Sequence, residues 1–317
     1  MADYDLIVTA PPHIKGKDQI STAMRDVAIA LIPVIAVAIG FFRLYAVVNL
    51  AVAVITAVLC EIVMRKLMRG KPTIGDYSAV VTGLLMALIL PPTVPFWYVI
   101  IGTIIAVALV KELMGGLGRN LFNPALFSFA TLLIISRVFG SMNVSITLGS
   151  ISGVSTATPL TFVKASVLSG PRPGYWALFL GNPGGALAEV SVLAVLIGAA
   201  YLMYKGHITW HIPTAIIGTV FILSAILSVN PLYMILAGGL MLGSFFMATD
   251  WVTSPDNRVA QIVYGVLIGV CVVLIRVYGA PTGAVAYSIL IGNAFTPLLN
   301  RMFVRKKFGA VVQAEIE

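Results

Sequence analysis

The stretch ISGVSTATPL, residues 151–160, places Ser152, Ser155, Thr156 and Thr158 within seven positions and closes its polar run on Pro159. A hydroxyl becomes a useful nucleophile when a neighbouring base takes its proton, and this stretch holds no charge and no histidine. On the topology developed below, His13, His207 and His211 all map to the other side of the membrane. A covalent role for one of these hydroxyls therefore needs a second protein that installs the bond. The competing reading is local. Threonine before proline starts a helix well, with a side-chain oxygen at the N-cap and proline at the first helical position, and the following LTFVKASVL is helix-compatible.

Four carboxylates, Asp76, Glu112, Glu189 and Asp250, fall at the ends of apolar runs. Polar groups at membrane depth are costly and usually functional. Glu189 follows the break GNPGG and opens a helix, where a carboxylate favours the positive dipole end. It reads as a cap or as a cofactor or ion site. Asp250 and Thr253 lie at one end of the eighth apolar run, and Asp76 holds the matching place in the first half of the chain. With Asn120 and Asn123 from the break GRNLFNP, they form a candidate polar lining between the halves; helix capping and loop hydrogen bonding is the alternative for each. His207 and His211, four apart, could share a helix face and flank Trp210 at an interface. No third ligand follows them, so metal binding is not expected. Cys60 and Cys271 sit inside apolar stretches and read as packing residues. The alternative for one of them is a shared ligand to a metal centre of a partner protein.

What positions these residues is a membrane scaffold. Of 317 residues, 59% are hydrophobic and 10% charged, and the mean hydropathy is +1.01. Soluble chains run about 45–50% apolar and about 25% charged, so this is an all-α integral membrane protein. Ten apolar runs long enough to approach a span can be drawn: 27–43, 46–64, 77–92, 94–113, 120–138, 186–204, 209–228, 231–249, 259–278 and 281–299. The first and third are short. With the N-terminus inside, fifteen of the 20 basic residues fall in inner segments, as the positive-inside rule requires. The net charge of +8 therefore reads as topology signals, and no nucleic acid is expected as partner. The mostly polar 1–26 has no cleavage site after its first apolar run and reads as a cytoplasmic segment rather than a signal peptide.

The two halves resemble each other. GLLMALILPPTVPFWYVIIGTIIAVALV (83–110) is echoed by GLMLGSFFMATDWVTSPDNRVAQIVYGVLIGVCVVLI (239–275), and each continues through a glycine-rich break into a closing helix. Five helices repeated once must invert, and inverted repeats place sites near the midplane at Gly or Pro breaks. The chain divides into a cytoplasmic segment (1–26), a first repeat (27–138), an outer loop carrying the STATPL stretch (139–185), a second repeat (186–300) and a cytoplasmic tail (301–317). On residues alone, a channel or facilitator for a small neutral solute would also suit such a scaffold.

Ser155-Thr156-Ala157-Thr158 resembles the (S/T)-x-A-T flavinylation motif of the family that contains the B subunit of the sodium-pumping NADH:quinone oxidoreductase and the D subunit of the Rnf complex. GDYSAVVTGLLMALILPP (75–92), GRNLFNPALFSFA (118–130), GNPGGALAEVS (181–191) and MATDWVTSP (247–255) resemble further family blocks in family order. The chain's length and short N-terminus favour the Rnf type. The resemblance implies an electron-carrier subunit of an ion-translocating oxidoreductase of the bacterial cytoplasmic membrane, not catalytic alone. It implies FMN joined to Thr158 by a phosphoester bond, attached by a flavin transferase, with Arg172 and Lys164 as candidate counter-charges. Partners implied are the other Rnf subunits, above all a second covalent-FMN subunit on the outer face. Relatives also hold a non-covalent riboflavin in the membrane domain, expected here at the lining of Asn120, Asn123, Asp76, Asp250 and Thr253. Three positions depart from the family pattern: Ser152 where an acidic residue is frequent, Thr156 where glycine is common, and Trp251 where proline is usual.

Overall fold

The computed structural model describes residues 20–68, 74–138, 174–181 and 186–303, and every regular element in them is helical. The first half holds α1 (Ile20–Phe42), α2 (Leu44–Leu67), α3 (Ser78–Ile89), α4 (Phe96–Ile104, continued by a π-helical stretch Ile105–Glu112) and α5 (Pro124–Val138). A short α6 (Tyr175–Leu180) precedes the second half: α7 (Val192–Tyr204), α8 (His211–Ile226), α9 (Pro231–Leu236), α10 (Leu240–Leu242, continued by a π-helical turn Gly243–Met247), α11 (Arg258–Tyr278) and α12 (Ala284–Met302). Helix occupies all ten stretches drawn from hydropathy, α9 and α10 sharing one of them.

Local chemistry explains where the helices begin and end. Ser191 accepts from the Ala194 N–H to start α7. Asn230 accepts from the Tyr233 N–H, with Pro231 as first residue of α9. Asn257 caps α11 through the Val259 N–H. Arg65 and Lys66 in the last turn of α2 oppose the helix dipole.

Among the described residues, three helices are long and apolar enough to cross a membrane by themselves: α1, α2 and α11. The expectation that the first span is short is corrected, because α1 runs for 23 residues and begins at Ile20, seven residues before the apolar run. The short third span is real. α3 has 12 residues, about 18 Å of rise against a hydrocarbon core of about 30 Å. Its missing length is supplied by the 3-10 turn Ile74–Asp76 on one side and the extended segment from Leu90 on the other.

The packing repeats between halves. In the first, α2 packs on α3 and α4, and the π stretch after α4 packs on α5; in the second, α8 packs on α9 and α11, and α11 on α12. Equivalent helices then meet across the halves: α1 packs on α7, the first helix of each repeat, and α5 on α12, the last of each. The third span of each repeat is broken near its start. Tyr77 takes a left-handed φ of 60° before α3, and Gly238 and Gly239 take φ of 72° and 67° before α10.

The α1–α7 crossing depends on one missing side chain. A Cβ on Gly198 would lie 2.0 Å from the Ala30 carbonyl oxygen and 3.0 Å from the Phe246 ring, so the helices approach as small residues allow in membranes. Gly198→Ala is expected to force the two first helices apart and to destabilise the fold by about 1–3 kcal/mol. A lowered melting temperature in detergent checks this; Gly218→Ala, where nothing lies within 4 Å, is the control.

Candidate functional site

Two clefts lie at opposite ends of the helices, at places related by the repeat. The first, of about 840 Å3, opens where α1 begins. Its wall comes from the starts of α1, α3 and α5 and the end of the π stretch after α4, all in the first half. The second half adds the ends of α7 and of the π turn after α10. The second cleft, of about 820 Å3, lies at the other end of the bundle. It is lined by the end of α3, the Ala186–Glu189 turn, the Gly238–Gly239 break, α10 and the start of α12. Adjacent residues of shared helices face the two: Ala125 and Phe246 line the first, Leu126 and Met247 the second.

The first cleft is an apolar slot with a polar rim. Asn123 accepts from the Ala125 and Leu126 N–H groups at 3.1 and 3.3 Å and so caps α5. Its Nδ2 donates across the halves to the Met247 carbonyl. Asn120 donates from Nδ2 to the Phe122 carbonyl at 3.1 Å. Its Oδ1 is buried and has no partner among the described residues. Asp250, in the turn after the π-helical segment, accepts from the Thr253 hydroxyl at 3.2 Å. Burial pushes its carboxyl up to about 6, against the opposing pull of the Thr253 hydroxyl and the Val252 N–H. Trp251 closes one side, its indole N–H donating to the His207 carbonyl.

Of the predicted lining, the structure brings Asn120, Asn123 and Asp250 to this cleft. Asp76 and Thr253 stand behind the wall. Asp76 accepts from the N–H and hydroxyl of Ser78 at 2.8 and 2.6 Å, and Thr253 accepts at its carbonyl from Thr296. Glu189 lines the second cleft instead. It lies in the 3-10 turn Leu187–Glu189, and Ser191 caps α7, so the capping reading of Glu189 is corrected. His207 and His211 do not share a helix face: His207 lies in the turn after α7 and His211 opens α8, stacked on Trp210. Ser155, Thr156, Ala157, Thr158, Lys164 and Arg172 lie outside the described residues.

Two cations counted as topology signals prove to be buried. Lys111 donates to Glu61 at 2.8 Å and to the Ser78 hydroxyl at 2.6 Å, with Glu112 at 3.9 Å and Arg65 on Glu112 at 2.7 Å. The π stretch is what turns the consecutive Val110, Lys111 and Glu112 all inward. Arg276, in the last turn of α11, donates to the carbonyls of Met234, Ala237 and Gly238. These are the carbonyls freed where the third span breaks. Lys111 and Arg276 close the echoed strings VALVK and VVLIR. Each serves the broken third span of its own half, at opposite ends of the bundle. Their equivalent places in the repeat were the one sequence signal that could have marked them.

Comparison with known proteins fits this architecture. Residues 7–309 match the model of the NQR2, RnfD, RnfE family. The chain is 40% identical over 311 residues to the D subunit of the Na(+)-translocating ferredoxin:NAD(+) oxidoreductase complex of Acetobacterium woodii, covering 98% of this chain and 97% of the relative. It is 38% identical to the D subunit of the proton-translocating ferredoxin:NAD(+) oxidoreductase complex of Clostridium ljungdahlii, with 95% and 96% covered. It is 32% identical to the D subunit of the ion-translocating oxidoreductase complex of Shewanella amazonensis, with 95% and 97% covered. With helices in all ten hydrophobic stretches and a family match over nearly its whole length, the chain is a multi-pass membrane protein that belongs to the NQR2, RnfD, RnfE family.

Proposed function

We propose that this chain is the flavin-bearing D subunit of an Rnf-type ion-translocating ferredoxin:NAD oxidoreductase, passing electrons between two flavins. FMN is joined to Thr158 on the outer face, and riboflavin is held without a covalent bond in the cleft where α1 begins, on the inner face. Both termini are cytoplasmic. The complex assignment rests on what the relatives are named, and the FMN on the motif Ser155-Thr156-Ala157-Thr158.

The observation that carries the two-flavin reading is the pair of clefts, one at each end of the bundle. Each is lined by apolar side chains with a few placed polar groups, as small-molecule sites are. The inner cleft fits a flavin ring on an observation of its own. The buried Asn120 Oδ1, without a partner among the described residues, suits an imide N–H, the donor that such a ring carries. Bound flavin supplies reversible electron uptake and release; the protein supplies binding and orientation. Asn120 and Asn123 anchor the polar edge, while Val81, Leu85 and Phe246 exclude water from the slot. Gly238, Gly239, Gly243 and Gly283 line the outer cleft, with Glu189 and Thr282 as its polar groups. Arg172 and Lys164, in the loop with Thr158, are assigned to the phosphate charge. Electrons reach the FMN of Thr158 from, or leave it to, a second covalent-FMN subunit on the outer face. An electron moving between the two faces does work of about 2.3 kcal/mol per 100 mV, which couples the route to the membrane potential.

The test is to co-express the full chain with a flavin transferase, purify it and denature it. One flavin should stay with the polypeptide and a second, lacking phosphate, should be released. A colourless chain that conducts a small neutral solute in liposomes would overturn this reading in favour of a channel.

A further inference from the structure

One cluster at the mouth of the inner cleft has no part in the reading above. His207, in the turn after α7, places Nε2 2.8 Å from Oδ2 of Asp26 on α1. Tyr201 donates to the other carboxylate oxygen at 3.2 Å. The side chains of His207 and Asp26 are 18% and 6% exposed, so the pair is sheltered yet reachable from the aqueous phase. Trp251, one of the departures from the family pattern, holds the His207 backbone through its indole N–H and packs its ring at 5.7 Å from the imidazole. His207 and Trp251 both line the cleft.

This geometry fixes one nitrogen and leaves the other. The carboxylate accepts from Nε2–H, which orients the ring. Nδ1 is then the atom at which a proton can be gained. Imidazole is the side chain that changes charge near neutrality. Negative charge arriving in a low-dielectric cleft strongly favours a compensating proton nearby.

We propose that His207, held by Asp26, takes up a proton at Nδ1 when an electron reaches a redox-active ring bound in the inner cleft. The inference rests on the proposed flavin occupancy of that cleft. The electron comes from a reduced flavin on the outer face, which loses it. The ring in the cleft gains it and gains no bond. The proton comes from the inner solution and ends on Nδ1, so the cluster becomes more positive by one as the ring becomes more negative by one. Around His207 stand Asp26 on α1, Tyr201 on α7, Lys205 just after α7, and Trp251 in the turn after the α10 segment, with Asp250 of that turn lining the same cleft. Lys205 acts on Asp26 by charge alone, and Lys111 lines the far wall of the cleft.

The experiment is a spectroelectrochemical titration of the releasable flavin in the full chain, from about pH 5 to 8, with flavin content measured in parallel. In the wild type the midpoint potential should fall as pH rises. In His207→Gln the slope should flatten with flavin content retained. In Asp26→Asn the slope should weaken, because an imidazolium formed on reduction has no carboxylate beside it. A flavin-loaded His207→Gln chain with the wild-type slope overturns the proposal, as does a slope abolished by Asp250→Asn and untouched by His207→Gln. If His207→Gln loses its flavin, the reduced-minus-oxidised infrared spectrum of wild type with 15N-labelled histidine decides. Imidazolium bands must appear on reduction and be retained in His211→Gln; their absence overturns the proposal. A wild-type chain that holds no releasable flavin instead overturns the occupancy of the cleft.

Discussion

Thr158→Val, co-expressed with a flavin transferase, is expected to insert normally and to show no in-gel flavin fluorescence. Valine keeps the branched shape and volume of threonine and removes the one atom that a phosphoester needs. Ser155 and Thr156 keep their hydroxyls in the variant, so the result also asks whether the transferase reads position 158 alone. The expected loss is complete for bound fluorescence and for electron transfer through the assembled complex, because a flavin at an aqueous surface without its bond dissociates. The proposed tether would act by effective concentration rather than by added contacts. Riboflavin in the inner cleft should be retained, which separates a missing attachment from a misfolded chain. Fluorescence that persists in Thr158→Val would rule out this attachment site.

The largest effect on stability is expected at Arg276. Its side chain is 1% exposed and bridges three carbonyls at the break between α9 and α10. Arg276→Met would strand those carbonyls, of which the hydrogen bonds to Met234 and Ala237 are buried, and leave Glu189 without its nearby counter-charge. Removing one partner of such a buried set costs about 3–5 kcal/mol, enough to deplete folded protein. Arg276→Lys should rescue only part of this, since one ammonium cannot present the planar fork that spans several acceptors. Thermal unfolding in detergent reads both, with the exposed Arg258→Met as a control expected to stay within about 0.5 kcal/mol. An Arg276→Met chain as stable as wild type would show that the break does not depend on this side chain. On the proposed occupancy, riboflavin content would distinguish a local collapse of the outer cleft from loss of the whole fold, because the inner cleft is built at the other end of the bundle.

The placement of the helices was legible because hydropathy is a local sum. A window of apolar residues must be helical in lipid whatever it packs against, so runs such as 46–64 and 259–278 correspond to α2 and α11. The break residues were legible too. Asn120 and Asn123 stand in a Gly/Asn/Pro interruption, and such interruptions are where a membrane helix exposes polar groups to a cavity. Asp76 and Thr253 carried the same signal and yet stand behind the wall, because one carboxylate caps Ser78 and one carbonyl serves Thr296.

The order of spans, the internal repeat and the positions of its interruptions were thus determined by the chain's own pattern of apolar residues. Only the tertiary structure decided which charges are buried and with whom. Asp26 meets His207 across 181 positions and Lys111 meets Glu61 across 50, and no local pattern encodes partners so far apart. Counting Lys111 and Arg276 as loop charges treated each as solvated. Where the third span of each half breaks, a cation from the fourth helix reaches it: Arg276 bonds the freed carbonyls, and Lys111 bonds the Ser78 hydroxyl at the start of α3.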